Sequence, residues 1–298
     1  MTKLRVSHLT RYEYDREVGF SPHILYLRPR EGAQLRLLRH SLSVQPEARL
    51  SHVRDPHDNN FAWAHFWERA DCLNIRSEFE VENTLTNPFD FILKPYAFAF
   101  PFTYEPVFDF ALGPYLAPPF DDTQARLRAW LDAEFPAADR PTETVPFLTA
   151  LNTLLFQKLC YTRREERGIQ PSTVTLDLGG GACRDYAVLF VELLRTLGLA
   201  ARFVSGYMSA PPEDDHRTVG AMHAWAEVYL PGGGWRALDP THGIWCDENF
   251  IPVAHAAQAE SVNPIQGGIY SPTPVASRLR TDVVVERLDP APVATPSL

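Results

Sequence analysis

Cys183 stands between three glycines and a long apolar stretch in the sequence GGGACRDYAVLFVELLRTLGL. A helix starting near Ala182 puts this cysteine in its first turn. There, unpaired backbone N–H groups and the positive end of the helix dipole favour a thiolate and can donate to an oxyanion beside the sulfur. The glycines ahead of it, Gly181 nearest, leave room for a substrate backbone. Free cysteine is also among the most buried residue types, so this stretch alone leaves packing and chemistry both open.

A thiolate nucleophile needs a base within hydrogen-bond reach and a third group to orient that base. The stretch HAWAEVYLPGGGWRALDP reads as two strands joined by a glycine turn, with His223, Trp225, Glu227 and Tyr229 on one face of the first strand and Trp235, Ala237 and Asp239 sharing a face of the second. If Trp225 pairs with Asp239, then His223 and Asp239 are diagonal neighbours on one face, and a slip of one residue separates them. His223 also reads as a polar strand start, and Asp239 as a turn residue before Pro240. The order Cys, His, Asp behind a glycine-led helix is what joins them into a candidate site.

Other constellations are weaker. Cys183, His223, His242 and Cys246 could be drawn as a zinc site, but their spacing matches no common ligand pattern and leaves Asp239 without a role. DPHDNN lacks the length and terminal Glu of a calcium loop and reads as a turn. Arginines in LRPREGAQLRLLRH and YTRREERG could hold carboxylates, although scattered surface arginine is commoner. The stripe Val188, Phe190, Val191, Leu194 and Leu197 reads as core.

The elements that must position these residues follow from patterning. Residues 1–115 alternate apolar and polar side chains in LRVSHLTRYEY, LRLLRHSLSVQP, NFAWAHFWER and CLNIRSEFEVENTL, the pattern of a β-sandwich-like domain. The Pro- and aromatic-rich residues 95–121 read as an ordered connection, poor in helix or strand. A catalytic domain spans 116–288, with helices at DDTQARLRAWLDAEF, capped by Asp121 or Asp122, and at ETVPFLTALNTLLFQKLCY. The cysteine helix ends at Gly198, and strands follow at 201–208, in the hairpin and near residue 283. APPEDDHRTVG reads as an exposed loop and the tail 289–298 as disordered. The fold class is α+β, a cysteine-bearing helix packed on an antiparallel sheet.

The chain has 298 residues, 45% of them hydrophobic, enough for two cores at about 150 residues per domain. A net charge of -9 gives no general attraction to nucleic acid or an anionic membrane. The charged N-terminus and the lack of a long apolar run suggest a soluble, cytoplasmic protein. Four cysteines without a CxxC pair fit free thiols.

GGGACRDYA, FVSGYM and HAWAEVYLPGGGWRALDPTHG, with SHLTRYEYDREV and YLRPREGAQ near the start, resemble the bacterial transglutaminase-like family of cysteine peptidases over about residues 4–270. The resemblance implies a papain-like core preceded by a β-rich domain, with Cys183 as nucleophile, His223 as base and acid, and Asp239 as orienting carboxylate. It implies no cofactor and no metal. Arg184 and Asp185 match the family's CRD motif and would brace the helix start and the hairpin. Animal transglutaminases carry an upstream tryptophan that helps hold the oxyanion; 36 residues before Cys183 this chain has Phe147. Gln170, Tyr161 and Trp225 are then the side chains left to position oxyanion or substrate. The expected activity is hydrolysis of an amide bond, peptide or isopeptide, through an acyl-enzyme on Cys183, with a peptide or an amide-linked small molecule as substrate. The rivals are acyl transfer to an amine, of transglutaminase or arylamine acetyltransferase type, and a catalytically silent binding or assembly module. The sequence does not indicate an oligomeric state.

Overall fold

A computed structural model describes residues 1–164, 166, 168–209 and 222–288 of the chain. The expected exposed loop at 210–220 and the tail at 289–298 lie outside the described residues. The first half is built of strands: β1 (Thr2–Phe20), β2 (His23–Leu25), β3 (Leu35–Gln45), β4 (Ala48–Arg54), β5 (Asn60–Phe66) and β6 (Ala70–Asn83). Period-2 alternation along β1 buries Leu4, Val6 and His8 on one face, and in β6 it buries Leu73, Ile75, Phe79 and Val81. β1, β6 and β3 lie side by side in one sheet, and β2, β5 and β4 in another. Val18, Phe20, Leu25, Leu27, Ala64 and Ile75 fill the space between the two sheets. Each fully buried aliphatic there contributes about 1.5–3 kcal/mol by leaving water.

The second half begins with α1 (Asp109–Leu116), α2 (Asp121–Glu134) and α3 (Thr144–Lys158). The Pro-rich connection thus holds a helix that its composition argued against. Tertiary packing overrides propensity here: Tyr104 and Leu112 bury against Ala200, and the Tyr104 hydroxyl donates to the Tyr229 carbonyl at 2.8 Å while accepting from the Ala200 N–H. The residue capping α2 is Phe120, without a side-chain hydrogen bond, so neither Asp121 nor Asp122 acts as the N-cap.

The two-residue strand β7 (Cys160–Tyr161), α4 (Ser172–Leu178) and β8 (Gly180–Gly181) lead into α5 (Cys183–Thr196). Then come β9 (Ala201–Met208), β10 (His223–Leu230), β11 (Gly234–Asp239), β12 (Ile244–Trp245) and β13 (Phe250–Ala256), an antiparallel sheet in the order β12-β11-β10-β9-β13. α5 is amphipathic, and its apolar face (Tyr186, Leu189, Phe190, Leu193, Leu194) packs on Ala226, Val228, Leu230 and Leu238 of this sheet.

The chain after residue 264 does not stay with this sheet, contrary to the grouping of 116–288 as one unit. β14 (Ile265–Gln266) pairs with β2, and β15 (Ile269–Tyr270) with the end of β1. β16 (Ser277–Arg287) pairs with β1 from Leu4 to Tyr14. The physical reason is the open edge of β1, whose N–H and C=O groups need partners, together with Val283, which buries beside Leu4 and Val6.

The two halves share a core. Leu4, Val6, Phe79 and Val81 meet Phe203, Tyr207, Ile251 and Val253 in one apolar cluster. His8 hydrogen-bonds the Tyr207 hydroxyl at 2.7 Å, and burial lowers its pKa to about 4, so it is neutral there. Asn59, in the turn after β4, exchanges hydrogen bonds with the backbone of His255 on β13. The sheet that carries the candidate site is therefore mounted on the sandwich.

Candidate active site

Cys183 is the first residue of α5 and is partly exposed. The glycines before it serve the chain's own backbone. Gly179 ends α4 in the left-handed region at φ 62°, which favours glycine. β8 runs parallel to β7, with Cys160 beside Gly180 and Tyr161 beside Gly181. A Cβ on Gly180 would lie 2.2 Å from the Cys160 carbonyl oxygen, and one on Gly181 would lie 2.9 Å from Asp185. At Gly180 and Gly181 the room read as space for a substrate is thus taken by β7 and by Asp185. Tyr161, half-buried on β7, flanks this strand pair.

Asp185 is fully buried and organises the helix start. Its carboxylate accepts from the Ala182 N–H at 2.9 Å and the Gln170 N–H at 2.8 Å, and the Arg164 guanidinium reaches both oxygens at 2.7 Å. Arg184 donates to the carbonyls of Arg164 and Glu166. Both residues therefore tie α5 to Arg164, Glu166 and Gln170, and no bond from either to the hairpin is found among the described residues. The Gln170 amide donates to the Thr175 hydroxyl and the Gly180 carbonyl, so it braces the glycine strand, and its N–H groups are not free to serve an oxyanion.

The hairpin has the required register. Ala226 pairs with Leu238 and Glu227 with Ala237, so Trp225 comes opposite Asp239 one step further along. His223 and Asp239 are 2% and 0% exposed, and His223 Nε2 donates to Asp239 Oδ2 at 2.7 Å. Burial alone would lower the His223 pKa. The Asp239 charge and hydrogen bond, with a further contribution from contact with the Cys183 side chain, outweigh it and raise the value to about 10. Burial pushes the Asp239 carboxyl up, but His223 and His242 overcome this and hold it well below the usual carboxylate range. The two shifts run in the directions expected of an imidazolium–carboxylate pair, and the Cys183 side chain lies beside the histidine.

Trp225 is 1% exposed and packs between the His223 ring, at 6.1 Å, and Phe250, at 5.3 Å edge-on. It packs beside the imidazole and, although almost fully buried, lines a pocket with Trp235, Trp245 and Phe250.

Three members of the arrangement were not assigned these roles from sequence. His242 Nδ1 donates to Asp239 Oδ2 at 2.6 Å, and the Thr241 N–H donates to Oδ1 at 2.8 Å, so the DPTH turn folds back on its own aspartate. The i, i+3 spacing in DPTHG was the available signal. Arg164, the ion partner of Asp185, had none beyond lying in an arginine-rich stretch. His223, Asp239 and His242 place ligand-type atoms within 4.8 Å of one another. These atoms are engaged with one another through Asp239 Oδ2, whereas Cys246 packs with Val204, Met208 and Phe250, its thiol pushed up by burial.

A helix-borne cysteine against a sheet that presents a buried His–Asp pair defines the transglutaminase-like core, and comparison with known proteins agrees. The profile of the bacterial transglutaminase-like N-terminal region matches residues 4–82, and that of the transglutaminase-like superfamily matches residues 136–240. An uncharacterised Mycobacterium tuberculosis protein is 30% identical over 295 residues, covering 90% of this chain and 88% of its own. A protein-glutamine gamma-glutamyltransferase of Pseudomonas aeruginosa is 35% identical over 72 residues, 23% of this chain and 11% of that one. A solved structure described as a candidate cysteine protease from Cytophaga hutchinsonii superposes with a TM-score of 0.75 at 18% identity, covering 97% of this chain and 92% of its own. The chain belongs to the bacterial transglutaminase-like family.

Proposed function

We propose that the protein hydrolyses an amide bond, in a peptide or an amide-linked small molecule, through an acyl-enzyme on Cys183. The observation that carries this reading is the buried His223–Asp239 pair, hydrogen-bonded at 2.7 Å, beside Cys183 at the start of α5. The imidazolium stabilises a Cys183 thiolate by charge. That thiolate attacks the substrate carbonyl, and the first-turn N–H groups of α5 lie where the oxyanion develops. His223 then gives its proton to the leaving amine, and as a neutral imidazole it takes one from the water that resolves the acyl-enzyme. Asp239 stays ionised throughout and fixes the ring through Nε2.

A second reading, transfer of the acyl group to an amine, is supported by the short match to the gamma-glutamyltransferase. Both readings share every step up to the acyl-enzyme. The free state of all four cysteines supports a reducing, cytoplasmic setting, and among the described residues no helix is long and apolar enough to cross a membrane.

Screening a library of peptides and isopeptides with the Cys183→Ala protein as blank tests the reading. Release of a free amine by the wild type alone supports it, and the absence of acyl-enzyme with every donor counts against both readings. Turnover that rises on adding a primary amine, with the amine found in the product, selects transfer over hydrolysis.

A further inference from the structure

The sandwich contains a cavity of about 310 Å³, remote in sequence from the triad and lined by none of its residues. It lies where β3 and β4, the outer strands of the two sheets, face each other without further strand partners among the described residues. Its charged and titratable lining is all basic: Arg28, His40, His52 and Arg54. No carboxylate lines it, in a chain whose net charge is -9. The floor is apolar, formed by Leu25, Leu42, Phe61 and Ala62.

The cations are only partly answered by the protein's own acids. The Arg28 Nε atom is buried and has no hydrogen-bond partner, and the outer end of that guanidinium reaches Glu31 only at 3.5 Å, where both side chains are exposed. Arg54 meets Asp58 at 2.8 Å on the surface. Burial, followed by the charges of Arg28 and His52, holds His40 down at about 4, even though a hydrogen bond to the Leu27 carbonyl raises it. The only carboxylate near Arg28 among the described residues is at 3.5 Å and the charges of Arg28 and His52 add to burial at His40, so an anion in the cavity would meet an incompletely matched cation and offset part of that shift.

We propose that this cavity is a binding site for a small organic carboxylate, with the head group between Arg28 and Arg54 and a short apolar chain on the Leu25–Phe61 floor. Arginine matches a carboxylate in a bidentate fork, and the floor selects for a chain over a bare inorganic anion. The site belongs to the N-terminal sandwich and does not depend on the reading of the triad. Arg54 and Asn60 flank the turn whose Asn59 is bonded to β13, so an occupant would sit at the foot of the joint between sandwich and catalytic sheet.

Butyrate is the probe, with inorganic phosphate for comparison, added to full-length Cys183→Ala protein so that the thiol contributes nothing. The imidazole proton resonances of His40 and His52 are followed by NMR. The expected result is a saturable shift of both with butyrate, a His40 titration moved upward from about 4, and phosphate weaker by about tenfold. Arg28→Gln should weaken butyrate by about tenfold or more, as the loss of a charge-assisted contact predicts. Arg54→Gln, at a largely exposed position that the fold does not need, is the second variant should Arg28→Gln fold poorly. A shift that does not saturate, an affinity unchanged in both variants, or phosphate binding as tightly as butyrate overturns the proposal.

Discussion

At the scale of single residues, the site turns on three side chains of which only Cys183 is accessible. Cys183→Ala should abolish turnover and leave Tm within about a degree, because the substitution at a partly exposed position removes only one sulfur. Iodoacetamide near pH 7 should label Cys183 much faster than the exposed Cys160, and equal rates would mean that His223 does not activate the thiol. Asp239→Asn should lower kcat by about three to four orders of magnitude with a smaller change in KM, since the amide lacks the charge that stabilises an imidazolium and can present a donor where His223 and His242 both need an acceptor. The same pair sets a pH dependence of stability. His223 is raised from 6.5 to about 10, so its contribution is complete below about pH 6.5 and is lost as pH climbs through 10. Asp239 is depressed, so its contribution is present above the ordinary carboxylate range and is lost in acid. Thermal melts should therefore decline from about pH 6.5 towards 10, and Asp239→Asn should flatten that limb; an unchanged slope would assign the pH dependence to other groups. These three residues were legible in the sequence because strand periodicity and the Cys, His, Asp order constrain one another. His242 was only half legible. Its spacing from Asp239 was visible, but which way a turn folds back depends on backbone geometry.

At the scale of elements, the start of α5 is the joint that aims the nucleophile, and Asp185 is its fastening. Asp185→Asn should destabilise the protein by about 3 kcal/mol in urea unfolding, because it leaves the part-buried Arg164 facing a neutral amide. A loss under about 1 kcal/mol would show that the N–H bonds from Ala182 and Gln170 suffice. Gly180→Ala should be comparably damaging, since the clash is with the Cys160 carbonyl, a backbone atom that cannot swing aside. Its kcat should fall even where the protein is folded, because β8 leads directly into Cys183. The long strands and α3 and α5 were readable, since each carries an unbroken hydrophobic period. α1 and the two-residue strand pair β7–β8 were not. The former is held by aromatic packing against a distant strand, and the latter by glycines whose sequence looks the same whether they make room for a ligand or for the chain itself.

At the scale of the whole molecule, the sandwich and the catalytic sheet share one apolar core, the cluster of Leu4, Val6, Phe79 and Val81 with Tyr207 and Ile251. Sequence alone could not show this, because pairing between the first and last strands is a long-range choice on which local pattern is silent. Removing residues 277–298 should strip β1 of its partner from Leu4 to Tyr14, lower Tm and give concentration-dependent association through the bared edge on gel filtration. A monomeric truncation with unchanged Tm would reduce β16 to an ornament. The pairing of Leu4 with Arg287 also bears on how the protein is made. β1 cannot be flanked on both sides until β16, far along the chain, has been synthesised, so the scaffold behind β9 and β13 closes through contacts of very long sequence separation.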